Sequence, residues 1–402
     1  MGAYRRLLGT PGAARLAACS LSVAVAGTMI PVSFVLFARQ ATGSFATASL
    51  VLAAFTAGKL LVAPLRGRAV DRNGPATVLR RVVFPAAVTD VAFILFGRAH
   101  PPGVVLVAVG LLSGCFTAPA GTAVRSAWAQ LLPDGPERRT GFALMSVIGE
   151  VSFFTGPLLA GALIAIGSPT LAVATAAALA AGGSLVLATA PAVRAVAGKE
   201  SQNAGRLAAL DGGAIRYVVG TGGLFGVTFG VLDVAWPAFA HSHGSAATAG
   251  IFLSLFAVGA GVGGLLYGAR KHHRPAISTY SALCLLATAG LAPLVVAHSL
   301  ASMAALALVS GLCFAPITTA QVAAVDEVAL AAHRAEAYTW LGTIYAVGAS
   351  IGAAAAGQLI TTSGEQAAFI TACAATAAAA FLAALKRQAL NEAHEATAAT
   401  ER

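Results

Sequence analysis

The chain holds 402 residues, of which 58% are hydrophobic and 10% charged, with a formal net charge of +10 and a mean hydropathy of +0.82. A soluble domain carries about 25% charged residues, so a surface this poor in charge does not face water, and most of it faces lipid. That excludes an ordinary soluble domain and leaves the basic excess to be explained.

The apolar runs are continuous rather than alternating, which predicts helices. A membrane-crossing helix needs about 20 such residues, and in lipid only helices or closed barrels satisfy their own backbone groups. In chain order, twelve spans are predicted at 15–37, 45–65, 78–97, 104–127, 140–166, 169–191, 214–239, 246–268, 275–297, 300–322, 337–360 and 365–386. The first is too long, and has too many spans behind it, to be a cleaved signal peptide. With both termini in the cytoplasm, all of the 25 lysines and arginines except Arg39, Arg98 and Lys59 fall in cytoplasmic segments. The reverse orientation violates the positive-inside rule. The basic charge is therefore a topology signal and calls for no nucleic acid. Cys19, Cys115, Cys284, Cys313 and Cys373 all fall inside spans without CxxC spacing, and read as small buried apolar residues. Abundant Ala and Gly, and Arg in excess over Lys, suggest a GC-rich bacterial genome and so a multi-pass protein of the cytoplasmic (inner) membrane.

A shift of 197 residues aligns the two halves. Gly67 meets Gly264, Phe55 meets Phe252, and "SGCFTAP" (113–119) meets "SGLCFAP" (310–316), pairing Pro119 with Pro316. With one residue of slippage, "GPLLAG" (156–161) meets "GAAAAG" (352–357). The expected organisation is a six-helix bundle over 1–191, a cytoplasmic linker over 192–213 and a second six-helix bundle over 214–402. A parallel repeat of this kind places a substrate site between the halves near the midplane.

The stretch after the second span reads Gly67-x-x-x-Asp71-Arg72-x-Gly74, and the fifth span carries Gly156-Pro157-x-x-Ala160-Gly161. The first resembles the signature loop between helices 2 and 3 of the major facilitator superfamily. The second is similar to the antiporter motif of its 12-helix drug:proton antiporter branch, with Ser152 where that pattern has glycine and Ala-Gly where it has Gly-Gly. Gly67 and Gly74 permit tight turns, Pro75 suits a first helical turn, and Asp71 suits a helix N-terminus. The resemblance implies a cytoplasmic latch that stabilises the outward-open state, with Arg125 as the partner of Asp71. In the second half the acid is missing at the aligned Gly268, and Asp326 and Glu327 are candidates to replace it.

Ionisable residues inside spans are expensive and mark function by default. Glu150 flanks a stripe of small residues, Gly149, Ser152, Gly156 and Ala160. Asp233 shares a face with Gly222, Gly226, Phe229 and Pro237. Asp90 lies mid-span, and Lys59 is read as snorkelling. The family's cavity-lining spans rank Glu150 and Asp233 above Asp90 as proton-coupling or substrate residues. Losing charge is the easy response of a carboxyl group withdrawn from water, which suits it to exchange a proton for substrate. The remaining cavity-lining candidates are Met29, Phe34, Phe116, Phe225, Phe229, Trp236, Phe252, Phe256 and Tyr345, with Gln321 and Thr318 nearer the inner end. Such a lining suggests a lipophilic or amphipathic substrate. The pair His241 and His243 lacks further ligands for a metal and reads as a solvated outer loop. No phosphate-cradling GxxxxGK[ST] is present.

The sequence thus predicts an all-α membrane protein that is not an enzyme and needs no cofactor or metal. It is expected to be monomeric, with a small-molecule substrate, protons and the lipid bilayer as partners. Its expected activity is proton-coupled efflux by alternating access. The alternatives are an uptake permease or uniporter of the same fold, and a non-transporting scaffold or sensor.

Overall fold

A computed structural model of the chain describes residues 7–100, 102–132, 136–196, 213–268, 276–329 and 334–385, all helix and short connection. Lys199 and Arg206 of the linker, the cluster Arg270, Lys271 and Arg274, and both termini with Arg5, Arg6, Lys386, Arg387 and Arg402 lie outside the described residues, as do the side chains of Asp71, Arg138, Arg139 and Arg334.

The first half contains α1 (Ala13–Thr42), α2 (Phe45–Asn73), α3 (Pro75–Arg98), α4 (Gly103–Phe116), α5 (Ala120–Leu131), α6 (Pro136–Ile166), α7 (Pro169–Ala188) and the short α8 (Pro191–Arg194). The second contains α9 (Gly213–Ser242), α10 (Ala249–Gly268), α11 (Ala276–Leu291), α12 (Leu300–Val328), α13 (Arg334–Ser363) and α14 (Glu365–Leu385). Local chemistry sets the ends. Ser44 and Ser168 accept from the backbone of Thr47 and Leu171 to start α2 and α7, Ser299 and Ser302 form a capping box at α12, and prolines open α3, α7 and α8.

Ten helices among the described residues are long and apolar enough to cross a membrane. The predicted third and ninth spans fall on α3 and α11, outside those ten. α3 carries Arg80, Arg81, Asp90 and Arg98, and α11 is 16 residues long before it tightens into a 3-10 turn at Ala292–Val296.

Two sequence expectations need correction. The stretch 67–75 is not a loop: α2 runs unbroken through Asn73, and Gly67 is helical. Only Gly74 turns the chain, with φ 74°, a conformation that a Cβ disfavours. The second correction is to the span over 104–127, which is broken at Thr117-Ala118-Pro119 into α4 and α5. Pro119 has no N–H to offer, and its ring clashes with the preceding turn. The repeat-related Pro316 nevertheless sits inside the continuous α12.

Arginines concentrate at one end of the molecule, where α2 ends and α3 and α9 begin (Arg66, Arg68, Arg72, Arg80, Arg81, Arg216). At the opposite, far end, one apolar core joins both halves, from Met29, Phe34 and Phe93 through Ala160 to Trp236, Phe252 and Phe369. At the arginine-rich end the core is divided. Leu16, Leu79, Trp128 and Val193 form one cluster in the first half, and Ile215, Val219, Val325 and Ala337 form another in the second. Outside the core, Phe84, Ile166 and Leu265 are 76%, 80% and 75% exposed, as lipid-facing side chains are.

Candidate functional site

The seam between the halves is built from small residues, because only they let helix backbones approach closely. A Cβ at Gly161 on α6 would run into the carbonyl of Ala247, and one at Gly250 on α10 into that of Pro157. Ser254 Oγ donates to the Phe154 carbonyl at 2.8 Å, one turn further along. On the other side of the molecule a Cβ at Gly357 on α13 would collide with Ser49 Oγ on α2. The closing glycines of the two repeat-related motifs, Gly161 and Gly357, thus both meet the opposite half at the far end. Gly156 instead packs within its own half, where it admits Thr28 of α1, whose hydroxyl donates to the Ser152 carbonyl at 2.7 Å. The sequence pattern did not single out Gly250, Ser254 or Ser49, although a run of small residues was there to find them.

Also at the far end, the Arg39 guanidinium sits 5.2 Å above the Phe45 ring, and His241 meets that ring edge-on at 5.7 Å across the seam. His241 is therefore in the last turn of α9 and not in a free loop.

Inside the second half, aromatic side chains gather around Phe229. Its ring lies 5.1 Å from Phe314, 5.6 Å from Phe256 and 5.8 Å from Tyr345. Phe225 reaches Phe314 at 5.6 Å, and Trp236 reaches Phe256 at 5.4 Å. Close approach of α13 to α9 makes this possible, since Cβ atoms at Gly226 and Gly230 would strike the carbonyls of Tyr345 and Ala349. Phe314 was absent from the sequence-based set, although it lies in the repeat segment "SGLCFAP" within the predicted span 300–322. Asp233, one turn beyond Phe229, is half-buried and has no hydrogen-bond or ion-pair partner among the described residues; it lies within electrostatic reach of Tyr345. The Trp236 indole N–H is buried and has no partner either. An acceptor and a donor thus stand free beside an aromatic wall, which is what an amphipathic ligand requires. Phe252 is buried nearby against Phe239 at 6.1 Å.

Other candidates sit elsewhere. Met29 and Phe34 are interior to the first half, where Phe34 stacks on Phe93 at 4.5 Å and meets Phe55 at 5.2 Å. Phe116 is half-buried at the α4 break. Glu150 is exposed on α6, one turn before Phe154. Arg125 is exposed and Asp71's side chain is outside the described residues, so the latch contact is not on view. Arg72, Asp326 and Lys59 are exposed, Lys59 with its ammonium 5.6 Å from the Phe55 ring. Gln321 is buried in a polar knot. Its amide donates to the Tyr280 hydroxyl at 2.9 Å and to the Val218 carbonyl at 3.3 Å, while Thr221 and Tyr280 share a 2.8 Å hydrogen bond. Gln321→Ala takes one of two partners from the Tyr280 hydroxyl, which keeps Thr221, and should cost about 0.5–1.5 kcal/mol; a wild-type melting temperature for the purified variant would disprove that role.

The family model of the Major Facilitator Superfamily matches residues 16–220 and again 218–402. The chain belongs to the major facilitator superfamily. Among solved structures, this facilitator is similar to the nucleoside transporter NupG, with 14% identity over 94% of this chain and 98% of that one and a TM-score of 0.77. It is also similar to the peptide transporter POT in complex with sulfate (14%, 96% and 95%, 0.74), and to a bacterial homologue of the iron transporter ferroportin in an inward-facing state (15%, 95% and 98%, 0.73). No curated protein sequence matches it significantly. It is a multi-span helical membrane protein with a transporter's fold, and the family is one of transporters and not of enzymes.

Proposed function

We propose that this facilitator is a proton-coupled secondary transporter of the bacterial cytoplasmic membrane, a monomer that exports a small amphipathic molecule by alternating access. In this reading the chain crosses twelve times, α3 and α11 included, with both termini cytoplasmic. Its bundles are 1–191 and 214–402, joined by the linker 192–213. The observation that carries the proposal is the uneven core, which is shared between the halves at the far end and divided at the arginine-rich end. By the positive-inside rule the divided end is cytoplasmic, so the conformation is inward-open, and Asp233, the Trp236 indole N–H and Tyr345 form the substrate wall. Breaking the seam while joining the divided end would give the outward-open state, in which Gly67, Asp71, Arg72, Gly74 and Arg125 serve as the cytoplasmic latch.

Flux in proteoliposomes tests this. An imposed proton gradient should drive accumulation of an amphipathic test compound. Asp233→Asn should lower flux at least tenfold, about 1.4 kcal/mol of binding, and Glu150→Gln should retain exchange while losing the response to the gradient. Equilibration by the wild type that ignores the gradient would identify a uniporter. No flux over a broad panel of compounds would indicate a scaffold or sensor.

A further inference from the structure

A second acid site lies inside the first half, away from the aromatic wall. Asp90 on α3 accepts a 2.7 Å hydrogen bond from Ser113 of α4 through one carboxyl oxygen. Its other oxygen has no hydrogen-bond partner among the described residues. Both residues line a cavity of about 90 Å3 bounded by α1, α2, α3, α7 and the broken α4–α5 segment. Ser184 of α7 lines the same cavity, is 1% exposed, and its hydroxyl is also without a partner. Thr117 and Ala118, at the break itself, complete the wall. Non-helical backbone at membrane depth is tolerated where it lines a cavity or is buried in protein, and unwound helices frequently form coupling-ion sites.

The chemistry of the lining selects the ion. Apart from the Asp90 carboxyl and the hydroxyls of Ser113, Thr117 and Ser184, the walls are aliphatic or aromatic, with Ala176, Ala177, Ala180 and Ala181 along α7. The side chains there supply five oxygens, fewer than the six or more that calcium takes. A proton needs one. At about 30 Å3 per water, the cavity has room for roughly three waters, enough to bridge the free carboxyl oxygen to the free Ser184 hydroxyl. The charged and titratable groups on the helices packed against α3 are Arg15, Cys19 and Arg39 on α1; Lys59, Arg66, Arg68, Asp71 and Arg72 on α2; Cys115 on α4; Arg125 on α5; and Arg194 on α8, with none on α7. α3 itself adds Arg80, Arg81 and Arg98. None of those with described side chains lines the cavity, so among the described residues Asp90 has no counter-charge there.

We infer that the Asp90 cavity is a hydrated proton site within one bundle, separate from the substrate wall and adjoining the break in the α4–α5 span. Hydronium delivers its proton to the Asp90 carboxylate, leaving water and a carboxylic acid hydrogen-bonded within the Ser113–Ser184 pocket, and the reverse step releases it. This deepens the proton-coupled reading and rests on it for its transport role, but the site is tested by itself.

Acid-minus-alkaline infrared difference spectra of the purified protein in lipid should contain a protonated-carboxyl band that Asp90→Asn removes. Ser184→Ala and Ser113→Ala should keep the band and move its frequency. In proteoliposomes Asp90→Asn should lower gradient-driven flux at least tenfold while gradient-free exchange persists. Spectra in which Asp90→Asn keeps every carboxyl band, or in which Ser184→Ala and Ser113→Ala overlay the wild type, overturn the inference. So does undiminished gradient-driven flux in Asp90→Asn, which would leave proton antiport standing. If the band behaves as expected but the wild type shows no gradient-driven flux, the site stands and the antiport reading falls.

Discussion

Gly250→Leu should leave each half folded and remove transport. At this position even a methyl group would meet the Pro157 carbonyl of the opposite half, and backbone cannot turn aside as a side chain does. Overpacking a contact costs about 1–3 kcal/mol, and each 1.4 kcal/mol is tenfold in an equilibrium. The far end should therefore lose its closed form by at least tenfold, and the bundles should rest apart there. Spin labels at Gln40 on α1 and Ser363 on α13, in a cysteine-free background, report the change, because both sites are exposed near that end. A longer label distance with an unchanged melting temperature is the expected result. Gly357→Val should act likewise through Ser49 on the other seam. If both variants transport as the wild type does, the seam is not a gate.

Arg66→Ala should weaken the first half, and Pro119→Ala should restore it. The Arg66 guanidinium donates to the Thr117 carbonyl, which the break leaves without a helical partner, and at 2.6 Å to the Lys59 carbonyl. Thr117 is half-buried, so stranding its carbonyl should cost about 1 kcal/mol, the low end for an unsatisfied acceptor. Arg66→Lys should rescue poorly, since one ammonium does not reproduce a two-pronged guanidinium. Removing Pro119 lets the helix close over the gap, so that Thr117 is satisfied within its own span. Thermal unfolding of the single and double variants measures this. A neutral Arg66→Ala, or a double variant no more stable than Arg66→Ala, would show that the arginine is not the brace.

The same pair explains why one repeat breaks and the other does not. Under the 197-residue shift Arg66 corresponds to Gly263. There α10 lies so close to α12 that a Cβ would touch the Leu312 carbonyl. Gly263 offers no side chain to satisfy an opened carbonyl, and α12 stays continuous through Pro316. The motif alone, "SGCFTAP" against "SGLCFAP", did not carry this difference. The deciding donor is about fifty residues away in sequence.

What the sequence by itself determined is whatever depends on composition and period. Lipid exposure follows from the scarcity of charge, helices from the continuous apolar runs, the family from the repeat and its glycine motifs, and the expected orientation from the arginines. Gly161 and Gly357 were already paired by the repeat. What only the tertiary structure decided is which polar groups find partners. Gln321 closes a knot with Tyr280, Asp233 and the Trp236 indole stay free, and Asp90 shares a cavity with Ser184. Each of those outcomes depends on side chains brought together from distant spans, and a linear pattern records the cost of burying a polar group without recording what will stand opposite it.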